Sequence, residues 1–576
     1  MEEMRYKKYS YDVVVIGGGA AGALAAIRAK KTGASVAFIT KESALVGGAT
    51  VMAGAGTSVM KDAEDSGDTF FEDIMASGQQ INNPDLVHII ADNCTEGLFN
   101  LENCDFLLDR KDLQHKDASS LPHYNKKGEG HSFSRSYLDR REALGICHGI
   151  AKTVMRSDIA LFTETVAVKL AQKDGAVCGV AAYSMLDGYY VFLACKAVVL
   201  AAGGLGGLYE ETTNSVVLNG DGYALAYEVG AEMVDMEMVQ FMPLTFPYPK
   251  IRRGKIIGQC SLLGPTVRLY NKDGERYMLR YDPKRAELTT RDIGARGNYT
   301  EIISGRGTKN NAIIVDNRNY DPAVFERWKS TSPFRYHQCC QVFGEDAGNW
   351  KETFEAIPSQ HFFMGGVRVN GHLASTVPGL FAVGEVSGGV HGANRLSGVA
   401  FPEIFVLGPR AGLEACDYIT SVSAPDWKDS EIEKMFKELD QPVQREQGKY
   451  RPFEVKQMIQ RIMSANLGPV RNGTDIDKAE KELAALWTEV LPHVAVAAQH
   501  RCYSREIVEA LELPLMLRTA QMVARAANTR TESRGSHYRT DYPEMDEAWK
   551  ANIVIKKATS NDMDTRVVPV SKEAQQ

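Results

Sequence analysis

Val13-Val14-Val15-Ile16-Gly17-Gly18-Gly19-Ala20-Ala21-Gly22 decides how this chain begins to fold. Four apolar, mostly β-branched residues in a row suit a strand buried on both faces, and the glycines that follow open a helical pattern over 21–32. A second apolar run at 35–39 completes a β-α-β unit of a doubly wound parallel sheet. Within that unit the glycines satisfy GxGxxG. Gly17 permits the tight turn, Gly19 lets the backbone approach a pyrophosphate, and Gly22 allows the helix to pack closely, while the helix N-terminus turns positive potential toward an anion. A site for NAD would place an acidic residue at the end of the second strand, but the sequence there is Ile39-Thr40-Lys41. The hydroxyl of Thr40 can meet a ribose instead.

Working outward, 576 residues exceed one core, at roughly 150 residues per domain. From about 160 to 204 the text is that of β-hairpins closing on a buried strand at 197–202 and a second glycine turn, so the nucleotide-binding domain resumes there. The pattern loosens beyond 246, with a strand near 313–315 and a helix after Asp321, then returns to strand and turn at 379–384. The expected division is a first part of the nucleotide-binding domain at 1–245, an inserted cap at 246–352, and a second part at 353–425. A helical region follows at 426–556, then a polar, irregular tail at 557–576. Spaced apolar positions predict helices over 429–439, 452–466, 475–490 and 504–527.

Bulk chemistry excludes several classes. With 66 Lys and Arg against 73 Asp and Glu the net charge is −7, and no long basic run is present to neutralise nucleic-acid phosphates. The ten cysteines form no CxxC or CxxCH, so the chain carries no recognisable iron–sulfur, zinc or c-type haem motif, and the adjacent Cys339 and Cys340 read as packing residues. Residues 1–11 lack the charged, apolar and small-residue series of a signal peptide, and no apolar stretch approaches the ~20 residues that cross a bilayer. A cytoplasmic protein is expected, held at the inner face of a membrane only through partner subunits.

Many ordered segments together resemble the flavoprotein subunits of fumarate reductase and succinate dehydrogenase, a family that includes L-aspartate oxidase. They are the opening GGGAAG with Thr40-Lys41, Gly47-Gly48-Ala49-Thr50, Thr212-Thr213-Asn214, Gly220-Asp221-Gly222, Thr290-Arg291-Asp292, His361-Phe362-Phe363-Met364-Gly365-Gly366, Gly384-Glu385, His391-Gly392-Ala393-Asn394-Arg395-Leu396 and Glu532-Ser533-Arg534-Gly535. The resemblance implies an α/β chain: a Rossmann-like FAD-binding domain, an inserted α+β capping domain and a C-terminal helical domain. It implies FAD held by Gly17, Gly19, Ala20, Ala21, Gly22, Thr40, Lys41, Gly48, Ala49, Thr50, Asp221, Glu385, Arg395 and Ala400, with Val166 and Ala167 offering backbone to the adenine. Membrane-bound relatives bond flavin through a histidine where this chain has Ala49, so the FAD is expected to be non-covalent and the balance to tilt toward reducing a double bond.

Reducing an activated alkene needs a hydride on one carbon, a proton on its neighbour and positive charge beside the acid group. By family position Arg291 is the proton donor, while His361 and Arg395 grip a carboxylate, for which the planar guanidinium fork is suited. Two departures stand out. Gln240-Phe241-Met242-Pro243 has methionine where the family has a substrate-binding histidine, and the family's Thr-Glu-Gly segment has no counterpart around 258–264. The expectation drawn from them is a substrate with one carboxylate and a less charged end facing Met242, Leu262 and Leu263. With no cluster motif of its own, the chain is expected to exchange electrons with an iron–sulfur partner subunit. Rival readings are an amino-acid oxidase like L-aspartate oxidase, an adenylylsulfate reductase-like flavoprotein and a non-catalytic flavin-binding subunit.

Overall fold

Apolar runs at Val13–Ile16, Val36–Ile39, Ala160–Phe162, Ala197–Leu200 and Leu380–Ala382 form a five-stranded parallel sheet. Their order is 380–382, 197–200, 13–16, 36–39, 160–162. The computed structural model describes residues 6–570 apart from 55, 112–114, 116, 123–127, 140, 446, 499 and 559–561. Every residue of Val13–Ile16 and Val36–Ile39 is buried, as strands covered on both faces require. Helix Ala20–Lys31 is rich in alanine, so the long helix Ala400–Ile419 lies close against it. A Cβ on Gly408 or Gly412 would meet main-chain atoms of Ala21 or Ala25.

A second sheet runs 6–10, 189–194, 176–184, 165–173. The polar chain start is thus not a mere lead-in: Tyr6–Ser10 pairs in parallel with Tyr189–Ala194, and Tyr6 packs its ring 5.6 Å from that of Phe436. Residues 1–5 lie outside the described residues.

The cap hangs from two antiparallel strands, Val239–Thr245 entering it and Phe354–Phe363 leaving it. They sit within a five-stranded sheet ordered 256–258, 239–245, 354–363, 313–316, 268–270. Helices Arg291–Glu301, Pro322–Thr331 and Pro333–Phe343 complete this part, which has an apolar cluster of its own around Phe325, Trp328, Tyr336 and Trp350. Cys339 and Cys340 are buried in that cluster as free thiols, which is the packing role expected of them.

Beyond 426 the helices Asp429–Leu439, Pro452–Asn466, Gly473–Ala485 and Arg505–Thr529 follow the apolar spacing. The tail differs from expectation. Ala551–Lys557 pairs with Met233–Val234 on one side and with Met563–Pro569 on the other, so the middle of the segment expected to be irregular is an edge strand. Its mixed polar sequence misled because only one face meets protein, as edge strands allow. Residues 559–561 and 571–576 of that tail lie outside the described residues.

Candidate active site

The glycine turn does what its sequence implies. Gly17 has φ of 121°, and a side chain there would strike the carbonyl of Ala201. Helix Ala20–Lys31 has no acidic residue in its first turn and three basic ones in its last, so its positive end opens, uncompensated, onto an elongated cavity. Gly17, Gly19, Ala20, Ala21, Thr40, Lys41, Gly48, Ala49, Thr50, Ala167, Asp221 and Glu385 line that cavity. Thr50 accepts from the Ala20 N–H at 3.2 Å, which ties the 47–50 loop to the helix start. Gly22 faces the sheet rather than the cavity, in keeping with its packing role. The side chain of Val166 packs in a separate apolar cluster, while Thr165 and Ala167 line the cavity. Ala400 lines the neighbouring cavity instead. A long groove with an open helix terminus fits an extended dinucleotide such as FAD.

The two carboxylates expected to help hold the cofactor differ. Asp221 is taken by Lys41 at 2.7 Å, and Lys41 also meets Glu512 at 2.6 Å. Burial pulls the lysine ammonium down, yet Asp221 and Glu512 outweigh it and lift its pKa to about 12. Glu385 has less support. Its Oε1 accepts the Phe363 N–H at 3.0 Å, and burial raises its carboxyl to about 8. A buried acid with so few partners is suited to hydroxyl or ring groups of a cofactor.

A second cavity, of about 290 Å³, shares Ala49, Thr50, Glu385 and Ile404 with the first and reaches under the cap. Here Arg291, His361 and Arg395 come together. Arg395 Nη2 donates to His361 Nε2 at 3.2 Å, and His361 Nδ1 meets Thr213 Oγ1 at 2.8 Å. Accepting from a guanidinium requires a lone pair on Nε2, which puts the proton on Nδ1 and leaves the imidazole neutral. Burial, then Arg291, Arg395 and Arg335, hold the imidazole pKa well below its usual value, in agreement. Gln240 fixes Arg395 from two sides: its amide donates to the Asn394 side chain at 2.9 Å and to the Arg395 carbonyl at 3.1 Å. Arg395 Nε is buried without a hydrogen-bond partner among the described residues, a donor facing the need for an acceptor.

Arg291 begins helix Arg291–Glu301 and donates to Gln259 at 2.7 Å, Ser397 at 3.0 Å and Gln240 at 3.4 Å. All three acceptors are neutral. Burial lowers the guanidinium pKa, and a further drop acts on Arg395, brought down to about 9 by burial and by Arg291. An arginine is an awkward acid at its ordinary pKa above ~12, and desolvation beside a second guanidinium reduces that mismatch. Asp292 accepts from Asn394 at 3.1 Å, which anchors the loop of Arg395.

Several residues of this cluster escaped the sequence reading. Thr213 and Gln240 lay inside segments that could be recognised, but Gln259 stands in the stretch that departs from the family pattern. The cap wall is more charged than the apolar trio Met242, Leu262 and Leu263 suggests. Met242 and Leu262 line the cavity, but Leu263 is buried in the cap cluster, and Arg327 and Arg335 line the same cavity. No local pattern in Pro333-Phe334-Arg335 announces this, because the helix reaches the cavity only through the packing of the cap.

A nucleotide groove opening onto a guanidinium cluster under a cap defines a flavin-dependent oxidoreductase. Comparison with known proteins gives the family. The model of an FAD binding domain matches residues 12–400, and that of the fumarate reductase flavoprotein C-terminus matches 456–575. The chain is 35% identical to one of the subunits of the fumarate reductase (CoM/CoB) of Methanothermobacter marburgensis, over 96% of this chain and 98% of that one. It is 28% identical to the fumarate reductase flavoprotein subunit of Mycobacterium tuberculosis over 97% of each. Among solved structures it superposes on Mycobacterium smegmatis Sdh1 with a TM-score of 0.87 at 30% identity, covering 98% of this chain and 95% of that one. The Escherichia coli quinol fumarate reductase chain gives 0.88 at 25% identity, covering 99% and 98%. The chain belongs to the fumarate reductase and succinate dehydrogenase flavoprotein family and is an FAD-dependent oxidoreductase of the kind that acts on CH–CH bonds.

Proposed function

We propose that this chain moves a hydride between FAD and a small organic acid, reducing an activated alkene to the saturated acid. The observation that carries this reading is the orphaned Nε–H of Arg395 beside a neutral His361 and the buried Arg291, in a cavity continuous with the flavin groove. Bound FAD supplies and accepts the hydride. Arg395 and His361 orient the carboxylate and draw electron density from the double bond, while Arg291 holds the proton that the second alkene carbon takes. The hydride and the proton add across one double bond, a two-electron reduction for each acid formed. Met242 and the cap residue Leu262 give the cavity an apolar stretch of wall that keeps water from the reacting carbons.

Non-covalent attachment follows from Ala49, which offers no side chain able to bond the flavin. Among the described residues no group of three or more His, Cys, Asp or Glu could hold a metal, and no helix is long and apolar enough to cross a membrane. An iron–sulfur subunit is therefore our proposed electron partner, with any membrane contact made through such subunits from the cytoplasmic side. The test is anaerobic: reduce the purified flavoprotein, add candidate acids one at a time, and watch for return of the oxidised flavin spectrum. Reoxidation by an enoate supports the reading. Reoxidation by none, or peroxide release with aspartate in air, overturns it.

A further inference from the structure

The cap wall opposite Arg395 holds charge that the reaction so far described does not use. Helix Pro322–Thr331 ends and helix Pro333–Phe343 begins at Ser332, and Arg327, Trp328, Thr331, Ser332 and Arg335 of this corner all line the cavity. Neither Arg327 nor Arg335 has a hydrogen bond or ion pair from its side chain to any described residue, and both are half-buried. Glu142 is the carboxylate that Arg335 feels, without ion-pair contact. Trp328 is 3% exposed, and its indole N–H has no partner among the described residues. Ser332 makes no cap bond to the start of the second helix, so that positive end is open as well.

An unpaired guanidinium, a buried unpartnered indole N–H and an uncapped helix start at one corner of a cavity are all donors lacking an acceptor. Donors so arranged are matched by an anion, since unpaired buried polar groups are unfavourable. Gly54 adds a geometric reason. The Arg335 guanidinium lies against it, where a Cβ would collide with Nη2, so this glycine leaves the arginine its place across the cavity. Met242, at 2% exposure, leaves the nearby strand Val239–Thr245 with no donor of its own at that position.

We propose that Arg335 is a specificity-determining residue that seats a second carboxylate of the substrate, taking over from the cap the role that Met242 leaves unfilled. An acid with two carboxylates would then place one on Arg395 and His361 and the other on Arg335. This deepens the hydride-transfer reading and rests on it for the word substrate, but the seat itself can be tested by binding alone.

The experiment uses the oxidised FAD-loaded protein, with calorimetric titration of saturated dicarboxylates from malonate to glutarate against the matching monocarboxylates. Wild type should bind its best dicarboxylate at least about tenfold more tightly than the matching monocarboxylate, the scale of one charge-assisted hydrogen bond. Arg335→Gln should erase that preference and leave monocarboxylate binding within about twofold, while Arg335→Lys should keep part of it. Gly54→Ala should weaken dicarboxylate binding alone, and it carries the test if Arg335→Gln does not fold, as judged by flavin content and melting temperature. A wild type without the preference, or an Arg335→Gln protein that keeps it, overturns the proposal. Dicarboxylate binding through Arg335 with no enoate turnover would instead sink the hydride-transfer reading and leave the seat standing.

Discussion

At the scale of single residues, the site works by desolvation. Glu385 shows it most directly. Its carboxyl titrates at about 8 in the folded chain against roughly 4.3 for a free glutamate. The folded state therefore keeps a proton that the unfolded chain has released, so this residue's contribution to stability is present at low pH and is lost as pH rises from about 4 to about 8. In the cofactor-free protein, Glu385→Gln should raise the melting temperature relative to wild type, least at pH 5 and most at pH 8. An equal difference at both pH values would show a carboxylate charged throughout. Arg291 makes a second case. With only Gln259, Gln240 and Ser397 as acceptors, Arg291→Gln can keep a hydrogen bond but not the transferable proton. Turnover with an enoate should fall by about 10²- to 10⁴-fold while the dissociation constant of an unreactive acid changes only a few-fold, read by steady-state rates beside calorimetry. Parallel losses in both would assign Arg291 to binding.

At the scale of elements, sequence legibility follows from whether a signal is local. The 13–22 stretch carries strand, turn and helix in ten residues, and each constraint, from the positive φ of Gly17 to the burial of Val13–Ile16, acts within that window. Arg395 was legible because it stands in the unbroken segment His391 to Leu396, whereas the Gln240 contacts that hold it in place come from 155 residues away. Arg335 was not, since its place depends on how two cap helices pack, and neither was Glu512, which reaches Lys41 from helix Arg505–Thr529 across most of the chain. Met563–Pro569 was missed because its alternation is weak and its outer face is wet. The Glu512 contact yields a prediction for its helix. Asp221 and Glu512 are both buried and share one ammonium, so Lys41→Met should strand two acids and destabilise the fold by about 3–5 kcal/mol, measured by denaturant unfolding. Glu512→Gln should disturb the nucleotide groove more gently and raise the FAD dissociation constant, measured by flavin fluorescence on dilution. Unchanged FAD affinity would separate the C-terminal helix from cofactor binding.

At the scale of the whole molecule, one prediction concerns attachment and another feature concerns movement. Acid precipitation of the purified protein should leave its flavin in the supernatant, because position 49 is alanine; yellow colour retained in the washed pellet would contradict this. The cap, meanwhile, joins the rest of the chain through Val239–Thr245 and Phe354–Phe363, and those same strands carry Gln240, Met242 and His361. Rotation of the cap about such a root scarcely displaces atoms at the root but sweeps those far from it. The fulcrum therefore coincides with part of the grip on the reacting acid, while Arg291 and Arg335 both ride on the body that turns. An acid anion can stay registered on His361 while the jaw is open, and only the return of the cap, which itself carries Arg291, brings the proton up to the reacting carbon.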